Sequence, residues 1–210
     1  MKKRLTRAEK RERTYEELIS AAEKLFIEQG FHATSVDGIA FEAGYTKGAV
    51  YSNFESKEDL FFAVYERRAE RAVVEAEQII GEVGPAASLE RLASDSALRR
   101  GRDGGWLAVF FEFWAHVVRH PELRERFAKV HARALAPFVA ATERLAKGGV
   151  RLPADVPGFN AAMFAMVSAL TLERLTRPDV VDAALGARMI QFVTEALLRD
   201  EGSREERRNR

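Results

Sequence analysis

A short segment around residues 47–53 carries side chains that suit a nucleic acid. The ammonium of Lys47 can pair with a phosphate or with a guanine edge, and the hydroxyls of Tyr51 and Ser52 can reach phosphate oxygens. The amide of Asn53 can read adenine, and Gly48 lets the backbone approach a ligand closely. A face with this chemistry suits the major groove of DNA.

Two short helical patterns meet just before this face, at Ala43-Gly44. Gly44 tolerates the left-handed backbone angles that a steep crossing of two helices requires. Thr34, with Asp37 three positions later, predicts the cap of the first helix, and Thr46 predicts the cap of the second. The pattern predicts a helix-turn-helix, with Phe54 packing the second helix onto the core.

The segment from about Tyr15 to about Tyr65 resembles the N-terminal domain of the TetR family of bacterial transcriptional regulators. The matching residues are Ala21-Ala22, Leu25-Phe26, Gly30-Phe31, Ala33-Thr34, Ile39-Ala40, Ala43-Gly44, Lys47-Gly48, Tyr51, Phe54, Lys57 and Leu60. The resemblance implies that Thr34, Lys47, Ala49, Tyr51, Ser52, Asn53 and Lys57 face DNA, with Tyr51 and Lys57 on phosphates. Ser35 and Gly48 complete the candidate DNA-binding set. Ala49 stands where the family often has Thr or Ser, and it offers no polar group to a base.

Each of these residues also has an ordinary structural explanation. Tyr51 would serve as a half-buried helix aromatic, and Lys47 and Lys57 as solvated cations. Their joint placement around one turn favours DNA binding.

Composition sets outer bounds on the function. The chain has 210 residues, is 47% hydrophobic and contains no long uncharged apolar run, so one or two soluble domains and no membrane-spanning segment are expected. The basic start is not followed by an apolar signal core, so no secretion signal is expected. The absence of cysteine excludes disulfides and thiolate chemistry and fits a reducing compartment, which favours the cytoplasm.

The chain as a whole has a net charge of only +1, but residues 1–13 are strongly basic. Seven basic and two acidic residues give this segment a local charge of +5. A mobile basic arm can follow phosphates or enter a minor groove, although a solvated basic terminus is the commoner case.

Helical periodicity continues through the rest of the chain, so the predicted fold class is all-α. We expect a helix-turn-helix domain at 14–65, a helical ligand-binding and dimerisation domain at 66–199, and a charged tail at 200–210. A first helix is expected at 15–29 and a linking helix at 57–80. Helix breaks are expected at 81–85, 101–105, 148–158 and 177–178. The further helices are expected at 88–98, 105–119, 121–147, 159–176 and 180–199. Pro137 predicts a kink or break.

The last two helices, near 159–176 and 180–199, combine large apolar residues with many alanines that permit close helix approach. The family resemblance implies that they pair with a second copy in a four-helix bundle. A twofold protein of this kind matches a palindromic DNA site.

The segment 106–118 is rich in aromatic residues on more than one helix face, so it is expected to be central. In a ligand-responsive family this segment predicts the pocket. The candidate ligand-binding residues are Trp106, Phe110, Phe113, Trp114, His116, Phe127, His131, Phe138, Met163 and Met166. The alternative is that these side chains only fill the core. A pocket lined in this way favours a small apolar or aromatic molecule.

Two other chemistries receive little support. Glu112, His116 and His120 have the spacing of a metal site, but Pro121 disfavours helical angles at His120, so no metal and no cofactor is predicted. Ser168, Thr171, Glu173 and His131 form no recognisable catalytic constellation, so the protein is not expected to be an enzyme.

Together these features predict a homodimeric, ligand-responsive transcriptional regulator. We expect a repressor that leaves its palindromic operator when a small apolar effector binds. The alternatives are a nonspecific DNA-binding structural protein and a helical small-molecule carrier or enzyme.

Overall fold

The computed structural model describes residues 6–102, 104–147, 153–182, 184–185, 188–189 and 192. Within these residues every regular element is a helix, which confirms the all-α prediction. Residues 1–5, the charged tail and most of the predicted helix at 180–199 lie outside the described residues. The described helices are α1 Arg7–Gln29, α2 Val36–Glu42, α3 Lys47–Tyr51, α4 Lys57–Arg102, α5 Gly104–Arg119, α6 Pro121–Lys147 and α7 Val156–Thr176.

Helix α1 begins earlier than the sequence predicts. Thr6 accepts a hydrogen bond from the N–H of Glu9, and the Glu9 carboxylate accepts one from the N–H of Thr6, which completes a capping box. Residues 7–13 of the predicted mobile arm therefore form the first turns of a helix. The helix ends as predicted at Gly30, whose φ of 84° places it in the left-handed region.

The helix-turn-helix is present, with one correction at its first cap. Ser35, not Thr34, caps α2, because the Ser35 hydroxyl accepts from the N–H of Gly38. The predicted cap of α3 is confirmed, since the Thr46 hydroxyl accepts from the N–H of Ala49. Gly44 has a φ of 73° and forms the corner as predicted.

Two predicted interruptions do not end a helix. Helix α4 continues through residues 81–85 to Arg102 instead of stopping near 80. Helix α6 likewise continues past Pro137 to Lys147. A proline inside a helix removes one hydrogen bond and a glycine lowers helix propensity, but neither has to end a helix.

The chain divides into two compact units. Unit 1 comprises residues 1–68 and 108–130, and unit 2 comprises residues 69–107 and 131–210. Unit 1 therefore includes most of α5 and the start of α6 in addition to the helix-turn-helix, which the sequence-based division at residue 65 does not anticipate. The physical reason is aromatic packing, because Phe113 stacks on Phe61 of α4 with ring centroids 3.9 Å apart.

The core of unit 1 contains a cluster of phenylalanines. Phe26, Phe31, Phe61, Phe110 and Phe113 are almost completely buried. Rings from α1, the loop after α1, α4 and α5 meet there at centroid distances of 4.8–5.7 Å. This core fixes the position of the α1–α2 loop, which ends in α2.

Two further contacts fasten the helices around this core. Phe54, just after α3, is 5% exposed and stacks on Tyr15 of α1 at 4.9 Å, which confirms its predicted packing role. Arg67 and Arg68 of α4 both donate to the carboxylate of Glu23 in α1. Helix α3 is thereby held against α1, and α1 is in turn bound to α4.

In unit 2, α7 is capped by Asp155, which accepts from the N–H of Gly158. Thr142 of α6 donates to Asn160 of α7, and Arg144 of α6 pairs with Glu77 of α4. Although the sequence predicts no membrane span, α7 is long and apolar enough to cross a membrane by length and composition alone, a property that core helices of water-soluble proteins can share.

Candidate nucleic-acid interface

Helix α3 places one side in the core and the other side outward. Val50 is 1% exposed and anchors the helix. Lys47, Gly48, Tyr51 and Ser52 are exposed, with Tyr51 at 50%. The structure thus brings the polar residues predicted around Gly44 onto one accessible face.

Lys47 has a partner that the sequence analysis did not identify. Its ammonium lies 2.8 Å from the carboxylate of Asp37 in α2, and this hydrogen bond raises the pKa of Lys47. Both side chains are more than half exposed, at 52% and 65%, so the pair contributes little to stability. A phosphate can therefore displace Asp37 at small cost.

Ser52 and Asn53 terminate α3. The Ser52 hydroxyl and the Asn53 amide nitrogen each donate to the carbonyl of Ala49 at 2.8 Å. Ser52 is exposed, whereas Ala49 and Asn53 are half-buried. In the free protein, the predicted adenine reader Asn53 thus uses its donor within the helix end.

The two predicted residues before α2 differ in orientation. Ser35 is exposed and lies at the helix start. Thr34 is 1% exposed, and its hydroxyl lies 3.1 Å from the carbonyl of Leu25 and 2.7 Å from that of Gly30. The hydroxyl of Thr34 therefore faces the C-terminal end of α1, where backbone carbonyls lack a partner within the helix.

Lys57 is turned inward in the free protein. Its ammonium donates to the carbonyls of Phe31 at 2.8 Å, His32 at 3.3 Å and Thr34 at 2.9 Å. It also lies 4.4 Å from the centroid of the Phe31 ring. Burial lowers the pKa of Lys57, while Glu58 and Glu112 act in the opposite direction.

We expect Lys57→Met to cost about 1–3 kcal/mol of unfolding free energy, because hydrogen bonds to charged groups contribute on that order. We also expect the slope of log affinity against log salt for DNA binding to stay unchanged, since the ammonium is engaged by carbonyls. Removal of a phosphate contact would instead reduce that slope by about 0.9. Urea unfolding and anisotropy titrations at several salt concentrations measure both quantities.

Lys47→Met is the matched control for this experiment. Lys47 is exposed and makes only a surface ion pair with Asp37, so its removal leaves stability nearly unchanged. Its loss reduces the salt slope if it binds phosphate. A reduced slope together with unchanged stability for Lys57→Met would contradict the inward role of Lys57.

Three histidines lie close together beside the loop between α1 and α2. The His116 ring centroid lies 3.9 Å from that of His120 and 5.3 Å from that of His32. Nε2 of His116 lies 3.6 Å from the Glu58 carboxylate. His120 leaves the helix as predicted, since α5 ends at Arg119, and no cluster suited to a metal ion occurs among the described residues.

We expect the stability of the protein to fall as the pH drops below about 6.5, the ordinary pKa of histidine. The pKa of His116 is lowered by burial first and then by His120, with smaller effects of the same sign from His32 and Lys57, while Glu58 opposes them. A lowered folded-state pKa means that the folded protein binds fewer protons than the unfolded chain. The stabilisation is thus complete above the unfolded pKa and is lost as the pH falls.

Urea unfolding of the wild type and of His116→Gln between pH 7.5 and 5 tests this expectation. The difference in unfolding free energy between the two proteins should shrink on acidification, by at most about 1.4 kcal/mol per pH unit. Parallel pH profiles for the two proteins would contradict it.

The predicted ligand-binding residues fall into two groups. Phe110, Phe113, Trp114, His116 and Phe127 belong to unit 1, and Trp106, His131, Phe138, Met163 and Met166 belong to unit 2. Phe110, Phe113 and Phe127 are buried in the unit 1 core, while the remaining seven are half-buried. The structure brings Phe127 within 5.2 Å of Trp114 and 6.3 Å of Phe110, measured between ring centroids.

Glu112 has a role that the sequence did not reveal, since its spacing with His116 and His120 was considered only as a metal site, which was rejected. Its carboxylate accepts from the N–H groups of Phe31 and His32, each at 2.9 Å. These residues are separated by about 80 positions in the chain, so no local pattern signals the contact.

Comparison with known proteins agrees with this geometry. Residues 18–64 match the model of the TetR family of bacterial regulatory proteins. Residues 85–199, more than half of the chain, match the C-terminal domain of BetI-type transcriptional repressors. The two matches together include both the helix-turn-helix and most of the remaining helices.

Individual relatives extend the comparison. The chain is 36% identical over 100 residues to the transcriptional activator FasR of Mycolicibacterium smegmatis, covering 48% of this chain and 40% of FasR. The matched segments span 40% or less of the first curated relatives. The fold is similar to that of FadR from Bacillus subtilis in complex with stearoyl-CoA (TM-score 0.62, 20% identity, 88% of this chain and 97% of that chain). It is also similar to that of a regulator from Saccharomonospora viridis in complex with choline (TM-score 0.66, 17% identity, 88% and 96% coverage).

A helix-turn-helix with an outward polar face and two family matches that together cover most of the chain lead to one assignment. The chain belongs to the TetR family of bacterial transcriptional regulators.

Proposed function

We propose that this regulator is a repressor that binds a palindromic operator as a homodimer and is released by a small apolar or aromatic effector. The observation that carries the proposal is the exposed face of α3, where Lys47, Tyr51 and Ser52 stand on a helix anchored by Val50. The match to a repressor C-terminal domain favours repression. The proposed site of action is the cytoplasm.

We assign the DNA contacts mainly to the exposed members of the predicted set. Lys47 and Tyr51 bind phosphates or base edges, Ser35 and Ser52 donate to phosphates, and Gly48 permits close approach. Ala49 and Asn53 lie at the edge of this face. In this proposal Thr34 and Lys57 act by holding the loop before α2, because both side chains bind backbone carbonyls.

The surface of α7 supports the proposed homodimer. Only 22% of its most apolar window is buried within this chain, and its exposed positions include Ala161, Ala162, Ala165 and Ala169. Small side chains permit close approach of a second helix. Twofold pairing that places two α3 helices about 34–36 Å apart would match successive major grooves.

An apolar or aromatic effector is supported by half-buried tryptophans on α5 and by His131 on α6. Trp106 and Trp114 are half-buried, and burial lowers the pKa of His131, which favours a neutral imidazole at neutral pH. Two proteins of similar fold were solved with stearoyl-CoA and with choline. Aromatic faces suit an acyl chain through apolar contact and a quaternary ammonium through cation–π attraction, so both are useful first ligands in a release screen.

Selection of bound duplexes from a random DNA pool, at two salt concentrations, tests the proposal. We expect the wild type to select a palindromic motif and Tyr51→Ala to select none. Tyr51→Phe, which keeps the ring and removes the hydroxyl, is the matched control and should retain the motif with weaker binding.

The other outcomes separate the alternatives. Salt-sensitive binding without a motif would overturn operator reading in favour of a nonspecific DNA-binding protein. Absence of any binding would point to a helical carrier or enzyme. A dimeric mass in solution together with a palindromic motif supports the proposal, and a monomer bound to a single half-site contradicts it.

A further inference from the structure

The loop between α1 and α2 is held by two oppositely charged side chains from different helices. Glu112 of α5 accepts from the N–H groups of Phe31 and His32, each at 2.9 Å. Lys57 of α4 donates to the carbonyls of the same two residues, at 2.8 and 3.3 Å. Both backbone polar groups of Phe31 and of His32 therefore bind a charged side chain.

The carboxylate fits this loop closely. A Cβ placed on Gly30 would lie 2.7 Å from Oε2 of Glu112, so a larger residue at this position would require the carboxylate to shift. Gly30 also has a φ of 84°, which favours glycine independently. The loop is thus shaped around the Glu112 side chain.

The loop leads directly into α2, the first helix of the helix-turn-helix. Thr34, whose carbonyl Lys57 also binds at 2.9 Å, precedes the α2 cap Ser35 by one residue. Helix α2 is joined to α3 through the turn at Gly44, where the N–H of Tyr45 donates to the carbonyl of Ala40 at 2.8 Å. A change in the loop therefore shifts the start of α2 and, with it, the recognition helix.

We propose that Glu112 is a positioning residue for DNA binding, which ties α5 to the α1–α2 loop and so sets the placement of the reading helices. Glu112 itself need not touch DNA. Helix α5 also carries half of the predicted ligand-binding residues. A displacement of α5 would therefore reach the loop through the hydrogen bonds of Glu112. That regulatory part rests on the proposed function, whereas the positioning role requires only DNA binding.

The variant Glu112→Gln separates positioning from general electrostatics. Loss of a negative charge should strengthen binding to the DNA polyanion if charge alone matters. Positioning predicts the opposite sign, because the Gln amide presents a donor to a backbone N–H. We expect DNA binding to weaken about tenfold, because the loop loses a charge-assisted hydrogen bond that holds it in place. The salt slope should stay unchanged.

Glu125→Gln is the matched control. Glu125 lies on α6 in an exposed pair with Lys129, and the substitution removes the same charge. It should leave DNA affinity unchanged or slightly increased. Equal or tighter DNA binding by Glu112→Gln would overturn the proposal. If the wild type binds no duplex at all, the proposed function fails first, which is a different result.

Amide hydrogen exchange provides a readout that a purely global loss of stability would not produce. In the full-length wild type, the N–H groups of Phe31 and His32 should be protected by the carboxylate. In Glu112→Gln their exchange should accelerate, while the amides of Leu18 and Phe26 in α1 should stay protected. Unprotected Phe31 and His32 amides in the wild type would overturn the proposal even if the variant failed to fold.

Discussion

Replacing Phe113 by Ala should lower the free energy of unfolding by about 3–5 kcal/mol, because a fully buried ring leaves a cavity that the core cannot close. Phe113 is 0% exposed and stacks on Phe61 with ring centroids 3.9 Å apart. Its ring also meets Phe31 at 4.8 Å and Phe62 at 5.3 Å, both edge to face. The loss is a large part of the 5–15 kcal/mol typical of a folded protein.

Phe41→Ala is the matched control for this substitution. Phe41 is the same residue type in the same unit, but it lies on α2 with 87% of its surface exposed. Its truncation should change stability by no more than about 0.5 kcal/mol. Urea unfolding followed by circular dichroism compares the two variants. A loss below about 1 kcal/mol for Phe113→Ala would contradict its core role and return it to the candidate pocket residues.

The helix-turn-helix was predictable because its signals are local. The left-handed corner at Gly44, the cap at Thr46 and the inward Phe54 each follow from a few adjacent residues. The cap of α2 was placed one residue early, since Thr34 and Ser35 both carry a hydroxyl that can cap a helix. Tertiary contact decided between them, as the Thr34 hydroxyl is used by the end of α1.

Features that depend on distant segments were not predictable. The aromatic pattern on α5 identified a central helix, but not that Phe110 and Phe113 complete the same core as the helix-turn-helix. Glu112 and Lys57 meet at the α1–α2 loop from separate helices, whereas the sequence placed Glu112 only in a rejected metal site and the family resemblance placed Lys57 on a phosphate. Periodicity reports which face of a helix is buried, whereas it does not report against which segment that face packs.

Glu23→Ala should lower the free energy of unfolding by about 2–4 kcal/mol, because it removes the carboxylate that two arginines share in a largely buried charge cluster. The Glu23 carboxylate binds Arg67 and Arg68, each at 2.5 Å. The three side chains are only 13–18% exposed, so water cannot replace the missing carboxylate. Since this contact joins α1 to α4, its loss should also weaken DNA binding.

Glu125→Ala provides the comparison, because Glu125 pairs with Lys129 at the surface with 81% and 69% exposure, respectively. Its removal should cost no more than about 0.5 kcal/mol, and added salt should abolish that small effect. The cost of Glu23→Ala should persist at high salt, since ions do not screen a buried pair effectively. Chemical unfolding of both variants at low and high salt measures this difference. Equal costs for the two substitutions, or removal of the Glu23 effect by salt, would contradict this prediction. The cluster would then stabilise unit 1 no more than a surface pair does, and apolar contacts alone would hold α1 and α4 together.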